Sequence, residues 1–265
     1  MDDSDDDSDA EPALRWRIYG ESLAANVTAT IPKLFHRQMT LPHKHMVKFY
    51  KREFSKDNYQ PVVWHIPNTQ SGFNTTVFEE IGGGSKPKSL GISGLSGCTA
   101  LIIASRPGVY IAHYVESLAI APDDISIDHY GSEDACFEST VTLGLKNVIP
   151  GRGRTKKAQQ VSLTENAAKL RAGGELKAYL IAPSSSWDGK VETYTQSYTP
   201  KFNRIKEIVG GIVPELKAPG LWTDTWYTAL DTSNRALFTT SAGKLLFKYD
   251  PDHGKKGAKK KKAAL

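Results

Sequence analysis

Residues 99–117 read TALIIASRPGVYIAHYVES, two apolar runs joined by a turn signature, and the way they pair governs how the rest of the chain must cover them. "ALIIAS" (100–105) is apolar at alternate and intervening positions alike, the pattern of a strand covered on both faces. "RPG" (106–108) marks a turn. "VYIAHYVES" then alternates, with Val109, Ile111, His113 and Val115 on one face and Tyr110, Ala112, Tyr114 and Glu116 on the other. A hairpin turning across Pro107-Gly108 sets Cys98 opposite Ser117 and His113 opposite Ile102. On that register Cys98 and His113 project from one face, but their offset of four residues is roughly 13 Å along ideal strands. For the two to meet, the glycine-rich segment before Cys98 must curl back over the strand.

A strand apolar on both faces needs neighbours, and the flanking sequence offers them. "LRWRIYG" (14–20), "MVKFYKREF" (46–54), "PVVWHI" (61–66), "TTVFEE" (75–80) and "LKAYLIAP" (176–183) are β-rich runs bounded by turn formers. "LWTDTWYTAL" (221–230) reads as a strand and "RALFTTSAGKLLFKYD" (235–250) as a hairpin turning at Ala242-Gly243. Helices are fewer. Ser132 caps one whose face is Phe137, Val141 and Leu145, and Thr164 caps a short one ending at Gly173 and Gly174. Thr199 and Pro200 open a third, carrying Phe202, Ile205, Val209 and Ile212 on one side. The expected fold is α/β, a sandwich of two mixed β-sheets flanked by helices (αββα-like), as a single domain over residues 13–252.

Composition bounds the class. Of 265 residues, 39% are hydrophobic and 24% charged, an ordinary globular balance that favours neither disorder nor a membrane span. No apolar run reaches the roughly 18–20 residues of a transmembrane helix, and the first residues are acidic where a signal peptide is basic, so a cytoplasmic location is expected. Two cysteines make no disulfide framework and no zinc-site spacing, so Cys98 and Cys136 are expected as free thiols, with no cofactor and no metal. The ends are strongly charged: seven acids in residues 1–11 and six lysines in residues 255–265. Residues 1–12 and 253–265 are accordingly expected to be disordered tails. The lysine tail can touch nucleic acid or an anionic surface, with a solvated tail the simpler reading.

The chemistry centres on "GISGLSGCTA" (91–100). A nucleophilic thiol needs an accessible thiolate, a base, and donors for the developing oxyanion; glycines let backbone N–H groups and a substrate approach closely. Cys98 is the candidate nucleophile, expected to be partly exposed, and His113 the candidate base. A cysteine beside an apolar strand is also the usual form of a small buried hydrophobe, and a histidine on an apolar face that of a core residue. Elsewhere, His43 and His45 lack a third metal ligand, "DDISIDH" (123–129) reads as a solvated loop, "GGGSKPKS" (82–89) as a mobile loop without phosphate-loop spacing, and "GRGRTKK" (151–157) as a basic loop suited to an acidic partner. Cys136 reads as structural.

"LSGC" at 95–98, the apolar strand after it, and a histidine fifteen residues beyond the cysteine resemble the catalytic signature of the cysteine glutamine deamidase toxins, the family of the cytotoxic necrotizing factor catalytic domain and the Burkholderia lethal factor. The resemblance covers roughly residues 90–117. It implies an α/β sandwich with the cysteine at the start of an inner strand, and hydrolysis of a glutamine side-chain amide on a partner protein, a small GTPase or a translation factor. Cys98 would be the nucleophile and His113 its base, with backbone N–H groups near Gly97 and Cys98 holding the oxyanion. In part of the family a threonine six residues before the cysteine orients the histidine; here that position is Ile92. The third element would then be the Ser93 hydroxyl, or a backbone carbonyl near His65 in "VVWHIPN". The implied protein is a monomer acting in the cytosol, its own or that of a target cell. Two alternatives remain open: a non-enzymatic basic protein that binds nucleic acid or an acidic partner, and another cysteine hydrolase or a transglutaminase.

Overall fold

The six residues of β4 (Thr99–Ala104) are all buried, and the architecture follows from covering them. The computed structural model describes residues 46–55, 59–62, 73–81, 88–151, 159–185, 191–250 and 262–264. β4 lies inside a five-stranded sheet with β2 (Thr75–Glu80), β5 (Gly108–Tyr114), β6 (Lys177–Ser185) and β7 (Trp222–Thr228), in the order β2-β5-β4-β6-β7. All neighbours there are antiparallel except β6 and β7. A second sheet has the order β1-β3-β8-β9, from Tyr59–Pro61, Lys88–Ser93, Lys244–Asp250 and Lys262–Ala264, with β1 parallel to β3 and the remaining pairs antiparallel.

Strand alternation sorts the apolar residues into layers. Ala100, Ile102, Ala104, Val109 and Ile111 pack with Leu90, Ile92, Leu245 and Phe247 of the second sheet. Leu101, Ile103, Tyr110, Ala112 and Tyr114 face the other way, into helices. Burial of each such Ile or Leu is worth about 1.5–3 kcal/mol, so a strand carrying bulky residues on both faces has no stable position at a surface. The sequence expectation of an α/β sandwich of two mixed sheets flanked by helices matches this architecture.

The helical layer is built where Ser132 accepts the Ala135 N–H and starts α3 (Glu133–Phe137), which follows α2 (Asp124–Tyr130) and runs through a π-wound segment, Glu138–Thr142, into α4 (Leu143–Lys146). Phe137, Val141 and Leu145 are fully buried, the face expected from their spacing. The wide turn leaves the Thr140 carbonyl to side chains: Asn74 Nδ2 donates to it at 3.0 Å and Gln160 Nε2 at 3.1 Å. Asn74 Oδ1 in turn accepts the Val115 N–H at 2.8 Å, tying the end of β5 to the helices.

Several elements differ from expectation for identifiable reasons. Residues 46–54 form helix α1 (Met46–Phe54), because Tyr50, Glu53 and Phe54 recur at helical spacing and pack on the outer face of the second sheet; aromatic content had suggested a strand. Buried Glu53 meets Lys248 Nζ of β8 at 2.8 Å. "DDISIDH" is mostly helix, capped by Asp123 accepting the Ser126 N–H. α5 (Leu163–Arg171) is capped by Ser162, not Thr164. Pro200 lies inside α6 (Val191–Ile212) and does not open it: the buried stripe Tyr198, Phe202, Ile205, Val209 crosses the proline and outweighs the roughly 3 kcal/mol it costs a helix. Residues Ala236–Thr239 are the short helix α7, so β8 has no hairpin partner at 235–241 and pairs with β3. Within the lysine-rich tail, Lys262–Ala264 is a strand on the edge of β8, not a disordered segment. The acidic tail, "LRWRIYG", His43, His45, His65 and most of "GRGRTKK" lie outside the described residues.

Asn74 is the joint most exposed to test. Asn74→Ala leaves the buried Val115 N–H without an acceptor and takes one donor from the Thr140 carbonyl, and is expected to lower unfolding free energy by about 2–3 kcal/mol, read from urea midpoints.

Candidate active site

The register of β4 on β5 places the chemistry. Thr99 pairs with Tyr114, Ala100 with His113 and Ile102 with Ile111. The Ser105 N–H donates to the Gly108 carbonyl at 2.9 Å, so the two loop residues are Arg106 and Pro107, one position earlier than the turn across Pro107-Gly108. Gly108 belongs to the strand. A Cβ there would lie 2.6 Å from the Phe78 ring of β2, so this glycine answers to packing and not to the turn. The consequence is a halved offset. Extending the register by one residue sets Cys98 against Val115, two positions from His113 on the same face, a diagonal pair whose backbones stand about 7–8 Å apart.

Both groups are more enclosed than expected. Cys98 is 7% exposed and His113 fully buried, in the layer between the sheets. Burial pushes the Cys98 thiol up to about 11; the Glu116 carboxylate adds to this, while backbone N–H groups of Glu116, Ser96 and Cys98 itself oppose it. Burial pushes His113 down to about 3, opposed by hydrogen bonding to the Val62 backbone. At neutral pH the resting pair is thus a thiol and a neutral imidazole, not a thiolate and an imidazolium. Val62 is held to β3 by its N–H on the Gly91 carbonyl at 2.8 Å. The backbone that meets the imidazole is thus that of Val62, three residues before His65, which lies outside the described residues.

The other expected participants are placed differently. Ser93 is exposed at the end of β3, opposite Lys244, on the face that Gly91 turns toward Phe54 and Tyr59. It therefore points away from the layer holding the thiol. Ile92, where the family resemblance would place threonine, is fully buried between the sheets. Gly97 has φ +112°, and its N–H donates to the Tyr227 hydroxyl at 2.9 Å; that hydroxyl donates to the Cys98 carbonyl at 2.7 Å. The Gly97 N–H is thus engaged in holding the bend, and the donors gathered on the sulfur are those of Ser96, Cys98 and Glu116. Cys136 is buried and its thiol donates to the Ser126 carbonyl at 3.3 Å.

Three residues at the site carried no signal in the sequence: Glu116, Tyr198 and Tyr227. Glu116 follows β5 at the start of a π-helical turn (Glu116–Ile120), and its carboxylate crowds Gly97 so closely that a Cβ there would fall 1.8 Å from Oε2. The Tyr198 hydroxyl of α6 donates to Glu116 Oε1 at 2.5 Å. The glycine run was the available clue, since Gly97 is required by what approaches it. Among the described residues no group of three His, Cys, Asp or Glu is placed to hold a metal, and no helix is long and apolar enough to cross a membrane. Comparison with protein-family models, curated proteins and solved structures finds no match to this chain.

Two outcomes follow from this geometry. Gly131 has φ +97° with open space around it, so Gly131→Ala is expected to cost about 1–2 kcal/mol for backbone strain alone. Gly97→Ala adds the collision with Glu116 and should cost clearly more in the same denaturation assay. For His113, the unfolded chain takes up a proton near pH 6.5 and the folded one only near 3. Stability is therefore whole above pH 6.5 and falls as pH drops toward 3, by up to about 1.4 kcal/mol per pH unit from this residue. Urea midpoints between pH 4 and 7 should fall less steeply with acidification in His113→Leu than in the wild type.

Proposed function

We propose that this chain is a protein-glutamine deamidase in which Cys98 is the nucleophile and His113 carries the proton. The observation behind this reading is the β4–β5 register, which brings thiol and imidazole onto one face two positions apart, with the Val62 backbone behind the imidazole. The "LSGC" resemblance supplies the reaction class. Sγ attacks the carbon of a glutamine carboxamide while the thiol proton passes to His113; the tetrahedral adduct collapses, and ammonia leaves with that proton. Water, giving a proton to His113, then attacks the thioester, and the proton returns to sulfur as glutamate is released. Because the resting pair is neutral, charge separates only when a substrate brings polar groups into the layer. The mildly basic body and its basic stretches suit an acidic surface on the target, taken by resemblance to be a small GTPase or a translation factor. The protein acts as a monomer in a cytosol.

The near-complete burial of Cys98 favours a second reading, in which thiol and imidazole are core residues and the lysine-rich segments bind nucleic acid or an acidic partner. Intact mass spectrometry of candidate targets separates the two. Wild type is expected to convert one glutamine to glutamate, Cys98→Ser to abolish the conversion with the fold intact, and His113→Ala to slow it about 10²–10⁴-fold. No conversion on any target, together with salt-sensitive binding that survives Cys98→Ser and is lost without residues 255–265, would replace the enzyme by the binding protein.

A further inference from the structure

Glu116 contributes to the thiol's surroundings twice. Its backbone N–H faces the Cys98 sulfur, and its side chain turns back over Gly97, where only the absence of a Cβ leaves room for the carboxylate. Tyr198, 5% exposed on the buried stripe of α6, fixes that carboxylate with its hydroxyl. Asn74 holds the preceding residue, Val115, by its N–H. Gly97 and Tyr198 thus converge on one acidic side chain beside the candidate nucleophile while Asn74 anchors the backbone just before it, an arrangement that a surface glutamate does not need.

We propose that Glu116 is a positioning residue for Cys98: clamped over Gly97 by Tyr198, it keeps its N–H aimed at the sulfur and its carboxylate beside it, and so tunes how readily Cys98 reacts. This rests on the reading of Cys98 as a nucleophile. The titratable groups facing the thiol are His113 on β5, Tyr227 on β7 with its hydroxyl bound between Gly97 and Cys98, and Tyr198 on α6 acting through Glu116. Burial is the main influence against ionisation of the sulfur; His113 is neutral near pH 7, and the Glu116 carboxylate is the charge that adds to burial while the residue's own N–H works the other way. Neutralising the carboxylate without moving it removes like-charge repulsion while the backbone donors stay in place.

The test reads the thiol and not turnover. In the full chain, the rate of Cys98 alkylation by iodoacetamide is followed from pH 6 to 11, resolved from Cys136 by peptide mass mapping. Glu116→Gln keeps the size, the acceptor for Tyr198 and the backbone N–H while removing the charge. It is expected to lower the apparent thiol pKa by about one unit, giving roughly tenfold faster alkylation on the low-pH limb of the profile. Tyr198→Phe keeps the charge but releases the clamp, and is expected to shift the profile the same way by less. A merely structural glutamate predicts no shift in the profile of a Glu116→Gln protein whose urea midpoint is unchanged, and that result overturns the proposal. Should Glu116→Gln fail to fold, an unshifted Tyr198→Phe profile overturns it instead. Glutamine conversion is not measured here, so failure of the deamidase reading and failure of this one appear in different experiments.

Discussion

The pairing of β4 with β5 is the constraint on which the rest of this structure depends. Ala100 opposite His113 sets which residues face the second sheet and which face the helices, and a slip of β5 by one residue would turn Ile111 and His113 to the wrong layer. The register is held from both sides, because β5 also pairs along its length with β2, where Phe78 closes over Gly108. The helices then cover Leu101, Ile103, Tyr110 and Tyr114, and the second sheet covers Ile102 and Ile111. Thiol and imidazole fall between the sheets as a by-product of the same alternation.

Much of this was legible in the residues. The doubly apolar run at 100–105 and the alternation after it specified an inner hairpin and its faces, and the spacing of Phe137, Val141 and Leu145 specified a buried helical face. The turn was misread by one position, and the pairing therefore by two, because the sequence offers Pro107-Gly108 as a turn, and nothing in it says that Gly108 is reserved for Phe78. "MVKFYKREF" was misread because its aromatics fit a strand, whereas its Lys, Arg and Glu suit a helix; the burial of Tyr50 and Glu53 on one side decides the matter only after folding. Pro200 was taken as a helix start by its usual position, and the stripe running through it overrode that preference.

The candidate site was half visible. Cys98 and His113 share a face as their parity requires, whereas the backbone that hydrogen-bonds the imidazole is that of Val62, a residue the sequence did not single out. Glu116, Tyr198 and Tyr227 were not visible, since they come to the site from three separate elements and carry no motif. Enclosure was also misjudged: glycines in a turn suggest exposure, but here they admit Glu116 and Tyr227, which close over the bend.

The inner position of β5, between β2 and β4, distributes stiffness unequally across the candidate dyad. His113 sits on a strand hydrogen-bonded on both edges and buried on both faces, so its imidazole has almost no freedom to approach a partner. Cys98 sits just before β4, in a bend tied by side chains: Tyr227, whose hydroxyl accepts from Gly97 and donates to Cys98, and Ser96, whose hydroxyl donates to the Leu230 carbonyl. Any rearrangement that brings sulfur, imidazole and substrate together must therefore be made by residues 94–98 and the turn beginning at Glu116, with the histidine as the fixed post against which they move.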